Sequence, residues 1–421
     1  MADPDTGRPA LARILDVARR LAAPLDLREM LSVVIDAGRD VLDAERGTVF
    51  LHDAAARELF VEAATGIESF RFPADKGIAG ECARTRRVVN VPDCYADPRF
   101  NPEADLKTGY RTRALIAVPL VGLEGELVGV MQFLNPERGR FDEGDEEIAT
   151  ALASQAAVAI QRARLAEERL LRIRLEKEMA LAREIQLGIL PKRLPDVKGY
   201  EIATHFRPAG QTGGDIFDVV EGRAGEGLVL FLADATGHGI APALSVTQAR
   251  AMIRLGLSFT SDLDELLDRV NRQLESDLGS DKFITAFLGR LDPSFHMVDY
   301  RSPGQGPIIH FEAATGAWRK LDASTLPLGI MEDLPVKPRD PIALLPGDVL
   351  ALLTDGFFEA RDGSGEFFGV DRVGAAIAAA AARPASDILS AVVEEAERFS
   401  GGAEPQDDVT GILVKRKAAA G

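Results

Sequence analysis

From Glu146 to Leu190 the chain contains no proline and no glycine before Gly188, and such a stretch has little choice but to be helical. Apolar residues recur at Ile148, Leu152, Ala156, Ile160, Ala163, Leu170, Ile173, Leu181 and Ile185. Arg and Glu crowd the remaining positions from Arg162 to Glu184. The pattern predicts a long helix with i, i+4 ion pairs and an a/d-like seam, a candidate dimer-forming element. Uneven apolar spacing favours a short or imperfect coiled coil, and a single solvated linker helix is the alternative. Pro191 and Pro195 end it.

This helix divides a chain of 421 residues, a length that suggests two or three domains, and 46% hydrophobic residues make it globular. With 49 Lys and Arg against 66 Asp and Glu, the formal charge of −17 repels nucleic acid and anionic lipid. Neither is expected as a partner. Cys82 and Cys94 are too few for a disulfide framework, which points to a reducing compartment. No apolar stretch approaches the roughly 18 residues that span a bilayer. Met1 to Arg20 lacks the apolar segment of a signal peptide, so the expected location is cytoplasmic.

In the N-terminal half, Leu11 to Leu21 has helical spacing, and Asp26 stands as an N-cap before a second helical stretch from Leu27 to Val41. Strand patterns follow at Gly47 to His52 and Glu58 to Ala63, joined by a polar turn, which predicts an antiparallel start. Then come Phe72-Pro73-Ala74-Asp75-Lys76-Gly77-Ile78-Ala79-Gly80, Val88 to Asp93, Asp97-Pro98-Arg99-Phe100, and strand candidates Ala114 to Leu120 and Leu127 to Asn135. In this order and spacing residues 25–160 resemble a GAF domain, a small-molecule or light-sensing module. Asn135, Phe141 and Asp145-Glu146 resemble the signature of cyclic-nucleotide-type GAF domains, with Pro136 in place of its Lys. The other reading of these residues is that they tie a loop to a helix.

Beyond Pro195 strand patterns run over Tyr200 to Pro208, Phe217 to Glu221, Gly227 to Ala233, Phe283 to Leu291, His296 to Ser302, Pro307 to Phe311 and Asp348 to Thr354. Helical stretches occupy Ala241 to Phe259, Leu263 to Leu278 and Val370 to Ala382, which predicts antiparallel sheets covered by helices. Four acidic motifs punctuate this half: Gly213-Gly214-Asp215-Ile216-Phe217-Asp218, Asp234-Ala235-Thr236-Gly237-His238-Gly239, Thr354-Asp355-Gly356 and Asp407-Asp408-Val409-Thr410. Carboxylates at strand ends can deliver oxygen ligands into one cleft, and oxygen-rich sites suit Mg2+ or Mn2+. Phosphoryl hydrolysis on a metal is the chemistry this points to.

Together with Ala182-Arg183-Glu184-Ile185-Gln186, Leu190-Pro191, Phe283-Ile284-Thr285-Ala286, Leu326-Pro327-Leu328-Gly329 and Leu345-Pro346-Gly347-Asp348, the four motifs resemble the stage-II-sporulation-E and sigma-B-regulator branch of the metal-dependent protein phosphatases (PPM) over about residues 182–416. The resemblance implies two divalent cations, Mn2+ or Mg2+, with Asp234 bridging both, Asp215 on one, and Asp355 and Asp407 on the other. Ala235 stands where the family offers a backbone carbonyl. Asp218 and Asp408 could reach a metal through water or serve as turn caps. His238, between two glycines, could donate a proton to the leaving serine oxygen or shape the loop. Gln305 stands in Ser302-Pro303-Gly304-Gln305-Gly306-Pro307 where relatives often carry Ala-Gly-His-x-Pro-Pro, which removes a titratable group and leaves a turn beside the site.

The expected organisation is an α+β multidomain chain. An N-terminal helix or tail (1–24) precedes a GAF domain of antiparallel sheet with flanking helices (25–160). A helical linker (161–192), an α-β-β-α PPM domain (193–416) and a flexible tail (417–421) follow. The resemblance implies a phosphoserine/phosphothreonine phosphatase that its GAF domain regulates, with a small molecule as the candidate GAF ligand, and that acts on a phosphorylated anti-sigma-factor antagonist of the STAS type. The chain would dimerise through the linker helix. A catalytically inactive pseudophosphatase scaffold is the alternative, and loss of a metal ligand would favour it. A cyclic nucleotide esterase would need a His-rich metal site, which His52, His205, His238, His296 and His310 do not form by spacing.

Overall fold

The computed structural model describes residues 26–65, 70–222, 225, 227–279, 281–335 and 339–418. The expected helix at Leu11 to Leu21 lies outside the described residues, as does the end of the C-terminal tail. The chain forms two compact units, one up to Arg174 and one from Leu175.

The first unit opens with α1 (Leu27–Leu42), started by a capping box in which Asp26 Oδ1 accepts the Glu29 N–H at 2.7 Å and the Glu29 carboxylate accepts the Asp26 N–H. Strands β1 (Ala44–Asp53), β2 (Glu58–Ala64) and β3 (Arg71–Pro73) follow, then α2 (Gly77–Thr85), β4 (Val89–Val91), α3 (Glu103–Thr108), β5 (Leu115–Val121) and β6 (Leu127–Pro136). They form one antiparallel sheet in the order β3-β2-β1-β6-β5-β4.

Strand alternation sends successive side chains to opposite faces. Val49, Leu51, Ile116, Val118, Met131 and Phe133 pack against α1 and the start of α4 (Glu143–Ile189) through Leu31, Val34, Leu152 and Ile160. Phe50, Leu115, Ala117 and Val130 pack on the other face with Ile78, Cys82 and Cys94. The Asn135 signature serves as a set of ties. Asn135 Oδ1 accepts the Arg113 N–H at 2.6 Å, and its amide donates to the Tyr110 hydroxyl at 2.7 Å and the Arg111 carbonyl at 2.9 Å. Asp145 accepts the Asp142 N–H at 2.9 Å and pairs with Arg138.

The second unit holds the end of α4 and two five-stranded antiparallel sheets. Its elements are β7 (Tyr200–Arg207), β8 (Asp215–Glu221), β9 (Leu228–Ala235), α5 (Ile240–Gly256), α6 (Leu263–Asp277), β10 (Ile284–Asp292), β11 (Met297–Arg301), β12 (Ile308–Glu312), β13 (Ala317–Leu321), β14 (Ile342–Ala343), β15 (Val349–Leu353), α7 (Gly369–Ala380), α8 (Ala385–Phe399) and β16 (Val409–Arg416). The sheet orders are β14-β11-β10-β9-β8 and β13-β12-β15-β16-β7.

Between the sheets lie Phe217, Leu230, Leu232 and Phe287 from one and Leu350, Leu352, Ile412 and Val414 from the other. Outside the first sheet, Ile216, Phe231 and Ala233 bury against Val246, Ile253 and Leu267 of α5 and α6. Outside the second, Ile309, Ala351 and Leu413 bury against Val373, Ile377 and Ile388 of α7 and α8. The result is the expected α-β-β-α layering. Strands β13, β14 and β16 and helix α8 were not among the elements read from the sequence. Strand β16 shows no alternation because both its faces are buried, Ile412 and Val414 between the sheets and Leu413 against the helices.

Candidate active site

Strands β8 and β9 pair so that Asp215 lies opposite Asp234. Asp215 is buried and Asp234 half-buried, at the end of the first sheet. The second sheet contributes Asp355, in the 3-10 turn Asp355–Phe357 directly after β15, and Asp407, just before β16. Both are exposed. Adjacent strands β15 and β16 thereby bring two residues 52 positions apart to one edge.

The four carboxylates feel one another. Burial, then the charges of Asp355, Asp407 and Asp408, push Asp234 up to about 8. Burial and the facing Asp234 hold Asp215 well above the usual carboxylate range. Asp355 rises to about 6, from burial first and then from Asp407 and Glu359; because the residue is exposed, cleft walls rather than core supply that burial. Among the described residues no Lys, Arg or His pairs with any of the four. Proton uptake or a cation is what relieves such a cluster.

The backbone supplies further oxygens. A Cβ on Gly214 would lie 2.8 Å from the Ala235 carbonyl oxygen and 3.4 Å from both Asp234 Oδ1 and the Gly237 oxygen. Glycine is therefore needed for close approach, and three oxygens converge around that point. Among the described residues no three His, Cys, Asp or Glu side chains close into a metal-binding group as they stand. The donor chemistry nevertheless fits a hard divalent cation: unpaired carboxylates, a backbone carbonyl and room for water.

Several residues hold the cluster in place. Thr354 Oγ1 donates to Asp215 Oδ2 at 2.8 Å and accepts the Thr410 N–H at 3.0 Å. Gln186, in the last turn of α4 and buried, donates to the Gly213 carbonyl at 2.8 Å and accepts the Gly213 N–H at 3.1 Å. Asp408 accepts the Ala209 N–H at 2.7 Å and the Asp215 N–H at 3.3 Å, so it anchors the loop before β8. Its pKa is raised by burial, against the lowering effect of these N–H donors.

Asp218 is not part of the cluster. It points to the helix layer, where Arg250 approaches it at 2.9 Å and Arg254 at 2.6 Å. His238 is exposed on the loop between β9 and α5, where Gly237 and Gly239 take positive φ of 95° and 94°. Gln305 is buried; its amide donates to the Leu353 carbonyl at 2.8 Å and accepts from the Thr285 hydroxyl at 3.2 Å. Thr285 is the cross-strand neighbour of Asp234, so the loop links both sheets beside the site.

The motifs contained Gln186 and Thr354, but nothing in their spacing assigned these bonds. For Asp218 a signal did exist. Arg250 and Arg254 lie one turn apart on an otherwise mostly apolar α5, and two such basic residues call for a buried acid.

Residues 224–417 match the family model of Stage II sporulation protein E (SpoIIE), and residues 26–160 match that of the GAF domain. The cGMP-specific 3',5'-cyclic phosphodiesterases of Drosophila melanogaster and Drosophila pseudoobscura pseudoobscura are 33% identical over 181 residues, 40% of this chain and 16% of theirs. The chain thus matches only a small part of those relatives. Among solved structures, the SiaA-PP2C domain of Pseudomonas aeruginosa has 23% identity and a TM-score of 0.51, covering 58% of this chain and 98% of that one. This likeness speaks to the fold. The RsbU and RsbW domains of Rv1364c from Mycobacterium tuberculosis have 29% identity and a TM-score of 0.47, over 53% of this chain and 62% of that one.

Proposed function

We propose that this chain, which joins a GAF domain to a SpoIIE-type PP2C phosphatase domain, is a metal-dependent phosphoserine/phosphothreonine protein phosphatase under GAF control. One observation carries the reading: four mutually repelling carboxylates, without a basic partner among the described residues, at the ends of strands from two sheets.

Asp234 would hold two cations, Asp215 and the Ala235 carbonyl one side of the pair, and Asp355 and Asp407 the other. Mn2+ or Mg2+ held there would supply Lewis acidity to activate water and positive charge to offset that of a phosphate, and the chain's own carboxylates and the Ala235 carbonyl would position it. Thr354 fixes the Asp215 carboxylate and Gln186 the backbone beside it. His238, exposed on its glycine-flanked loop, is the residue proposed to protonate the leaving serine oxygen. Asp408 and Asp218 act through the loop and helix that they hold.

An anti-sigma-factor antagonist of the STAS type is the proposed substrate, and a cytoplasmic location goes with it. No helix among the described residues is long and apolar enough to cross a membrane. Leu165, Leu170, Leu171, Leu175, Leu181 and Ile185 are exposed on α4, and we assign their cover to a second copy of the chain.

The test is phosphate release by the full chain from a phosphoserine protein with Mn2+, with chelator, and for Asp234→Asn. Turnover that needs metal and is lost in the variant, by about 100-fold or more, supports the phosphatase. No turnover with metal bound and several substrates moves the weight to a partner-binding role.

A further inference from the structure

A cavity of about 270 Å³ opens beside the acidic cluster, and Gly356 and Asp407 line both. Its floor is apolar, with Val393 and Ala396 of α8 and Val409 of β16. A side chain seated there would therefore lie next to the reacting phosphate. The volume suits one long side chain, and the apolar floor suits an aliphatic stem.

The charges on its wall are not balanced. Arg207 and Glu397 pair with each other at 2.5 Å. The Arg361 guanidinium lies over the Phe367 ring, 4.3 Å from its centroid. Glu359 and Glu404 are exposed on the wall, and neither has an ion-pair partner among the described residues. With Asp407 left to the cluster, three acids face two guanidiniums around this cavity. A cationic tip above an aliphatic stem answers both features.

We propose that this cavity is a substrate subsite that takes a lysine or arginine side chain flanking the phosphoserine. The inference rests on the phosphatase reading and adds to it a preference for basic sequence next to the scissile phosphate. Glu359 and Glu404 meet the cationic end, while Val393 and Ala396 hold the stem. Nothing in this assignment depends on the cluster's own ionisation.

The experiment uses the full chain with Mn2+ and two synthetic phosphoserine peptides, identical except for lysines or glutamates on both sides of the phosphoserine, with phenyl phosphate as a third substrate. For the wild-type chain, kcat/KM should favour the lysine peptide by about threefold to tenfold, as expected for two partly exposed ion pairs. Glu359→Lys with Glu404→Lys should invert the ratio. Because the ratio is taken within one protein, partial misfolding cancels. Glu275→Lys with Asp281→Lys, at and beyond the end of α6, should leave the preference above threefold, which separates the subsite from the field of the whole chain. An unchanged ratio in the Glu359/Glu404 variant, or equal rates on both peptides by the wild type, overturns the subsite and leaves the phosphatase standing. No release from any of the three substrates removes the phosphatase reading, and the subsite with it.

Discussion

At the residue scale, Asp215 depends on a neighbour that is not itself acidic. The Thr354 hydroxyl gives its hydrogen to Asp215 Oδ2, and Thr354→Val removes that donor while keeping the shape. Partners of this kind typically change metal affinity by about 10- to 100-fold, so titration calorimetry with Mn2+ should show a loss in that range, with little change in secondary structure. Asp218 has a different task. Its side chain is 3% exposed and faces Arg250, itself only 11% exposed, so Asp218→Ala leaves a largely buried guanidinium unpaired. Denaturant melts should show a loss of about 3 kcal/mol. The same variant should keep its Mn2+ affinity to within a few-fold, because Asp218 does not face the cluster.

Among the elements, α4 shows how far pattern reading reaches. The absence of proline fixed its existence, and the helix runs to 47 residues. From Leu165 to Ile185 its leucines and isoleucines stay exposed, whereas Leu152, Ala156 and Ile160 are buried in the first unit. One sequence period therefore has two outcomes, decided by whether a sheet lies against it. Leu171→Lys with Leu175→Lys charges the exposed stretch without touching either core. Analytical ultracentrifugation should show a dimer for the wild-type chain and a monomer for this variant. A monomer in both would remove the second copy from the proposal. Strand β16 was not read from the sequence, because burial on both faces removes its alternation and its partners, β15 and β7, are distant in sequence.

Across the whole molecule, stability should depend on pH and metal together. Asp234 and Asp355 sit at about 8 and 6 in the fold, above the roughly 3.9 of an unfolded Asp. The folded form thus binds these protons more tightly than the unfolded chain. Their contribution is complete at low pH and fades as pH rises from about 4 through 8, where the repelling charges appear. Without metal, the melting temperature of the catalytic unit should fall between pH 5 and 8.5. Mn2+ at about 100 times its Kd should restore about 2.7 kcal/mol, more visibly at the higher pH. A metal-free melt that rises across this window would contradict the cluster's electrostatics.

The sequence by itself determined the order of strand and helix patterns, the break at Pro191, and the four acidic motifs, because local periodicity and backbone stereochemistry need no distant partner. It also limited the options for Asp408, Asp218 and the Asn135 signature without choosing between ligand and tie. Tertiary structure supplied the partners: it turned Asp218 toward Arg250 and Arg254, set Asp408 on backbone N–H groups, and used Asn135 to hold the Arg111 to Arg113 segment. It alone set Asp215 against Asp234 and carried Asp355 and Asp407 to their side. The physical reason is that a carboxylate's role follows from what faces it. Strand pairing decides that, across the 19 positions from Asp215 to Asp234 and the 52 from Asp355 to Asp407, and no local pattern records it.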